Sequence, residues 1–144
     1  MKLESKIMAF GSIEQLQSIE LRRNVLRKPL NLDFTNEELK LENNQIHVGC
    51  FYQNELVGVL ILVKVSDKFL KMRQVAVKED HQYKGIGKNM VAFSEQWANE
   101  NNFNCIQLHA RENAVSFYLS MNYVVINKMF LEVGIPHFAM EKNI

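Results

Sequence analysis

The stretch Lys71 to Lys88, KMRQVAVKEDHQYKGIGK, narrows the folds open to this chain more than any other. An apolar run, Gln74-Val75-Ala76-Val77, enters a charged turn, Lys78 to His81, and Gln82-Tyr83-Lys84-Gly85-Ile86-Gly87 then opens a segment of helical periodicity. Two glycines let the backbone approach a ligand with no Cβ in the way, and the first turn of a helix leaves N–H groups free to point at it. A strand, a glycine turn and a helix start in this order predict an anion site, with phosphate or pyrophosphate as the ligand.

The 144 residues suit one domain, 1–144, large enough to bury roughly two-thirds of the surface exposed by the unfolded chain. With 47% hydrophobic and 23% charged residues, a disordered or fibrous class is excluded. A net charge of +1 provides no basic field, so no nucleic-acid partner is expected. Cys50 and Cys105 lie in apolar strand-like runs without a second Cys or His at ligand spacing, which reads as two reduced core thiols and no metal. The segment MKLESKIMAF is no signal peptide, and the longest apolar run, Leu56 to Val63, is too short to span a bilayer. A cytoplasmic protein with no membrane partner is the expectation.

Ile7 to Phe10 reads as a first strand, and Ser12 with Gln15 as the capping pair of a helix that stops near Lys28, before Pro29. Ile13, Leu16, Ile19, Val25 and Leu26 approximate its inward face, which leaves Arg22, Arg23, Arg27 and Lys28 as a solvated basic run near its end. Thr35 and Glu38 cap a short second helix to about Glu42. Ile46 to Tyr52 and Glu55 to Val65 form a hairpin across Gln53-Asn54, and Phe69 to Val77 is a third strand. In that strand Leu70 and Met72 are out of phase with Val75 and Val77, which fits either a bulge at Arg73-Gln74 or a central strand buried on both faces. Met90, Phe93 and Trp97 mark a helix on the sheet, Cys105 to Ala110 another strand, and Ala114, Phe117, Tyr118 and Met121 a further helix. Val124 to Ile126 and Phe138 to Met140 close the sheet, with Gly134-Ile135-Pro136 as the turn before the last strand.

Three glycine motifs compete for the turn. A P-loop aligned on Gly87-Lys88 has Gln82 at its first glycine and Asn89 at its metal-binding hydroxyl. A dinucleotide fingerprint needs glycine at Met90 and an acidic strand end that Cys105 to Ala110 lacks. The pattern Q/R-x-x-G-x-G/A is matched in full by Gln82 to Gly87, and it resembles the acyl-CoA signature of the GNAT superfamily of N-acetyltransferases. The resemblance extends to Asn113-Ala114-Val115-Ser116-Phe117-Tyr118-Leu119-Ser120-Met121-Asn122-Tyr123, similar to the superfamily's N-A-x-x-F-Y-x-x-x-G-F segment. Asn122 replaces the usual glycine, and Asn tolerates the left-handed backbone better than most residues.

The resemblance implies an α/β (α+β) GNAT fold of order β-α-α-β-β-β-α-β-α-β-β, with a mixed, mostly antiparallel sheet of about six or seven strands and about four helices. It implies acetyl-CoA as cosubstrate, its pyrophosphate on the amides of Tyr83 to Lys88 beside Gln82, with charge added by Lys84 and Lys88. The pantetheine arm lies along Val75, Ala76 and Val77 and bonds Asn113, and a Val75 or Ala76 N–H polarises the thioester carbonyl. Transfer to a small-molecule or peptide primary amine is by direct attack in a ternary complex, with Tyr118 as the acid for the departing thiolate. For the base, His109, His137 and an ordered water chain stay open. Glu79 and His81 read as solvated turn residues, and Tyr52 and the basic run as residues bordering the acceptor cleft. The scaffold also admits a non-catalytic acyl-CoA-binding domain and leaves open a homodimer.

Overall fold

Local signals at the chain's turns and caps set most of the element boundaries, and the computed structural model describes them for residues 2–82 and 84–144. Tyr83 of the glycine turn therefore lies outside the described residues. The order is β1 (Leu3–Met8), α1 (Ile13–Arg22), α2 (Asn36–Lys40), β2 (Ile46–Tyr52), β3 (Glu55–Lys64), β4 (Phe69–Val77), α3 (Ile86–Glu100), β5 (Cys105–Arg111), α4 (Val115–Ser120), β6 (Val124–Val125), β7 (Phe130–Glu132) and β8 (Ile135–Asn143). The mixed, mostly antiparallel α+β architecture is the one expected, but with eight strands in place of six or seven, because β7 is added between the last two. No helix among the described residues is long and apolar enough to cross a membrane. The chain divides into two compact units, Met1–Val63 with Gln74–Ser94 and Lys64–Arg73 with Glu95–Ile144, so that β4 begins in the second and ends in the first.

In the first unit β1, β2 and β3 are successive neighbours, with β1 and β2 antiparallel from Leu3↔Tyr52 to Met8↔His47. The β2–β3 hairpin closes on Gln53 and Asn54, whose φ angles of 51° and 66° are those a two-residue turn needs to match the twist of its strands. α1 starts where the capping pair places it. Ser12 Oγ accepts from the Gln15 N–H at 3.1 Å, while Gln15 Oε1 accepts from the Gly11 N–H at 3.0 Å.

The inward face of α1 differs from the expectation. Gln15, Ser18, Leu21 and Arg22 are buried, whereas Ile13 is 76% and Leu16 is 56% exposed. Ser18 tolerates burial because its Oγ donates to the Gln15 carbonyl, and Gln15 Oε1 is satisfied by the Gly11 N–H, while Gln15 Nε2 is buried with no partner among the described residues. Past Arg22 the helix widens into a π-helical turn, Arg23–Arg27, and Val25 and Leu26 reach a core cluster of Met8, Leu21, Leu56, Val59 and Ala76.

The basic run is only partly a solvated face, with Lys28 exposed and Arg22 buried. Arg22 is 1% exposed and forks onto Glu42, Nη1 to Oε2 at 2.9 Å and Nη2 to Oε1 at 2.8 Å. The Phe34 ring lies 4.8 Å from its guanidinium and 4.7 Å from that of Arg27. Arg23 bonds Asp33 and Glu20. The geometry that makes a buried pair tolerable is a fork that satisfies both charges at once.

At the other end of this unit Gly58 of β3 makes room for α3. A Cβ there would meet Ile86 Cγ2 at 2.6 Å and Met90 Cε at 2.9 Å, so only glycine lets the first turn of α3 lie this close to the strand.

In the second unit β4 pairs with β5 in parallel, from Phe69↔Cys105 to Met72↔Leu108. β5 runs antiparallel to β8 from Cys105↔Asn143 to Arg111↔His137, and β6 and β7 both pair with β8. The expected turn Gly134-Ile135-Pro136 is displaced: it turns on Val133 (φ 46°) and Gly134 (φ 74°), and Ile135 and Pro136 already belong to β8. α4 ends on Asn122 at φ 71°, where Tyr123 N–H donates to Tyr118 O and Asn122 N–H to Leu119 O, each at 3.0 Å. That pair of bonds is a Schellman ending, and Asn122 fills the left-handed position expected of it.

Glu42→Gln leaves the Arg22 charge buried without its counterion and is expected to lower unfolding free energy by about 3–5 kcal/mol, while Arg22→Met with Glu42→Leu costs less than either single change. Urea unfolding of the three variants reads both effects.

Candidate active site

The glycine turn is built by β4, a 3-10 turn at Glu79–His81 and the start of α3. Gln82 does not reach outward with its amide: Nε2 donates to the Val77 carbonyl at 3.3 Å, tying the turn back to the strand it leaves. Gly85 has φ 80°, a conformation open mainly to glycine, and its carbonyl accepts from Asn89 N–H at 3.0 Å as the first bond of α3. Ile86, Gly87 and Lys88 are thus the first helical residues, whose N–H groups find no acceptor within the helix. A Cβ built on Gly85 meets nothing within 4 Å, so open space lies beside these amides, and the Lys84 and Lys88 side chains are exposed there. Positive helix end, free amides, missing Cβ and two lysines make a site suited to a phosphate group.

β4 approaches this turn through a break. Gln74 lies at φ 57°, in the left-handed region that a non-glycine residue enters only at a cost, and its Oε1 is buried without a hydrogen-bond partner. The irregularity lies at the expected Arg73-Gln74 position. The ladder with β5 ends at Met72 and Leu108, ahead of it, and Val75 to Val77 follow it. A groove of about 660 Å³ also opens in the first unit, among Leu21, Asn24, Val25, Glu55, Leu56 and Lys78. None of the residues expected to bind or react lines it.

In the second unit Tyr118 is 6% exposed on α4, its ring edge-on to Phe117 at 5.0 Å and to Tyr123 at 5.8 Å. Burial pushes its phenol up to about 12, so it keeps its proton throughout the neutral range. Asn113 is exposed in the 3-10 turn that leads into this helix.

The two histidines are brought together by a residue that sequence reasoning missed. His109 Nδ1 lies 2.9 Å from Glu132 Oε1, and His137 Nε2 lies 3.5 Å from Glu132 Oε2. Glu132 stands on β7, the strand not anticipated; only the apolar pair Phe130-Leu131 ahead of Val133-Gly134 hinted at a hairpin arm there. His137 is 4% exposed, and its Nδ1 donates to the Ile135 carbonyl at 2.8 Å, which fixes its ring. His109 is exposed, packs edge-on to Phe130 at 4.9 Å, and its Nε2 makes no hydrogen bond among the described residues. Burial acts to raise the Glu132 carboxyl, but the His109 hydrogen bond and the charges of His109, His137 and Lys71 outweigh it and hold the group below the usual carboxylate range. A carboxylate on Nδ1 leaves Nε2 as the proton acceptor, the arrangement in which an imidazole works as a base.

Comparison with known proteins bears on the fold and the family. The uncharacterized N-acetyltransferase YjcF of Bacillus subtilis is 30% identical over 132 residues, 90% of this chain and 94% of YjcF. Among solved structures, Escherichia coli ElaA superposes with a TM-score of 0.80 at 19% identity, over 98% of this chain and 99% of that one. A GNAT family acetyltransferase from Elizabethkingia anophelis with acetyl-CoA bound has a TM-score of 0.73 at 14% identity, over 99% and 98% of the two chains. The sequence model of the Acetyltransferase (GNAT) domain matches residues 14–144. By that match across most of its length, the chain belongs to the GNAT acetyltransferase family.

Proposed function

We propose that residues 1–144 act as one N-acetyltransferase domain that moves an acetyl group from acetyl-CoA to a primary amine by direct attack in a ternary complex. The observation that carries this reading is the Gly85 turn: three first-turn amides, Ile86 to Lys88, beside open space with Lys84 and Lys88 exposed, a cradle for a pyrophosphate. Bound there, acetyl-CoA supplies the thioester that is the electrophile. The backbone of Val75 to Val77 pairs with the pantetheine amides as an added strand does, and a Val75 or Ala76 N–H donates to the oxygen on which charge develops. Asn113 offers its side-chain amide to the same arm.

His109, held by Glu132 through Nδ1, takes at Nε2 the proton that the acceptor nitrogen sheds, so that the amine attacks the thioester carbonyl through its free lone pair. Of the two histidines it is the better placed, because His137 is buried and its Nδ1 already serves Ile135. Tyr118 provides the proton for the departing sulfur. Against an ordinary thiol, with a pKa near 8.5, full transfer from a phenol near 12 is uphill by roughly 5 kcal/mol. The first contribution of the phenol is therefore a hydrogen bond to the developing thiolate.

Thiol release from acetyl-CoA with an amine panel tests the reading. Amine-dependent release is expected; tight CoA binding with no turnover across the panel would make this a binding domain. In thermal shift, acetyl-CoA should stabilise the fold well beyond ATP, and equal shifts would point to a nucleotide site. Tyr118→Phe is expected to lower kcat by about 10²-fold or more with KM for acetyl-CoA held, and His109→Gln to do the same. Because the Tyr118 proton is retained below its raised value and lost only as pH climbs through it, kcat should not fall between pH 8 and about pH 10 through this group. A fall in that window that Tyr118→Phe abolishes would contradict the raised phenol pKa.

A further inference from the structure

The histidines share their face of the sheet with three cations. In the parallel β4–β5 register Lys71 is opposite Gln107, so the odd-numbered residues Lys71, Arg73, His109 and Arg111 project to one side. The antiparallel β5–β8 register puts Arg111 opposite His137, and the β7–β8 register puts Phe130 opposite His137, which brings Glu132 to the same side. The contacts of His109 and His137 with Glu132 bear this out.

Among the described residues no carboxylate lies within ion-pair distance of Lys71, Arg73 or Arg111. Glu132 lies against the two imidazoles, and Glu141, opposite Gln107 on the same face, accepts from Gln107 Nε2 at 3.2 Å. Lys71 is half-buried, and burial followed by the charge of Arg73 lowers its ammonium, with Glu132 opposing. Three cations against the two carboxylates Glu132 and Glu141 leave this face, which also carries the base candidate, with an excess of positive charge, and neither carboxylate reaches ion-pair distance of those cations. Elsewhere Arg22 has Glu42 and Arg23 has Asp33 and Glu20, while Arg27 lies over the Phe34 ring with no carboxylate within ion-pair distance among the described residues.

We infer that this face binds an anionic group carried by the acceptor, so that the acceptor is an amine with a carboxylate a few bonds from its nitrogen, an α- or β-amino acid. This rests on the acetyltransferase reading above. A guanidinium fork matches a carboxylate in two parallel hydrogen bonds, and Arg73 and Arg111 stand on the strands that flank His109 or carry it. The same cations disfavour the ammonium form of the bound amine, which must be neutral to attack.

The experiment compares L-alanine, L-leucine, L-phenylalanine and β-alanine with their primary amides as acceptors for wild type, Arg73→Gln and Arg111→Gln. The free acids are expected to exceed their amides in kcat/KM by about tenfold or more, and either substitution to remove most of that preference while KM for acetyl-CoA stays fixed. Amides used as well as acids would overturn the inference and leave the acetyltransferase reading intact. A raised KM for acetyl-CoA in the variants would also overturn it, since the cations would then serve phosphates of the cosubstrate. Competition binding of acids against amides reads the same preference without turnover, so a failure of catalysis is distinguishable from a failure of recognition. Arg73 is exposed, and its substitution is not expected to perturb folding.

Discussion

A strand keeps its ladder only while its backbone stays extended, and β4 gives up that geometry at Gln74. A non-glycine residue at φ 57° costs about 1–3 kcal/mol, and a buried side-chain oxygen without a partner adds to it. Before the break β4 has a regular parallel ladder with β5; after it come Val75 to Val77, the Gly85 turn and the first turn of α3. The strain sits where the strand leads into the glycine turn proposed to hold the pyrophosphate. Backbone N–H groups released from a ladder are the donors an amide-bearing ligand needs, and Gly58, by letting α3 lie close to β3, fixes where the cradle begins.

Much of this was readable in the chain because the signals are local. Ser12 and Thr35 cap the helices as their spacing implies, Gln53-Asn54 makes the two-residue turn, and Asn122 takes the left-handed position that glycine would have filled. The phase slip near Arg73-Gln74 was visible as a change in apolar parity. The readings that failed depend on partners distant in sequence. Arg22 looked like one of four solvated cations because nothing near it announces that Glu42 will meet it in the interior. Ile13 and Leu16 have the spacing of an inward face, yet Gln15 and Ser18 turn inward in their stead, held through Gln15 Oε1 and Ser18 Oγ by hydrogen bonds that periodicity does not register.

The candidate site divides in the same way. The glycine turn is one short contiguous motif, and its structure matches its sequence apart from Tyr83, which lies outside the described residues. The proposed base and the groups around it are drawn from β5, β7 and β8, and β7 is three residues long in a stretch with little strand character. Glu132 could therefore not be nominated beforehand, although it is the residue that separates the two histidines in role: it holds the exposed one by Nδ1, while the backbone holds the buried one. The three cations on that face were equally hidden, since only the register aligns Lys71 and Arg73 with Arg111.

Co-crystallisation with acetyl-CoA tests the central assignment most directly. Expected are pyrophosphate oxygens within hydrogen-bond distance of the Ile86 to Lys88 amides and a pantetheine arm paired with the backbone of Val75 to Val77. Phosphates seated elsewhere, for example in the groove beside Leu21 and Glu55, with Val75 to Val77 left free, would contradict it.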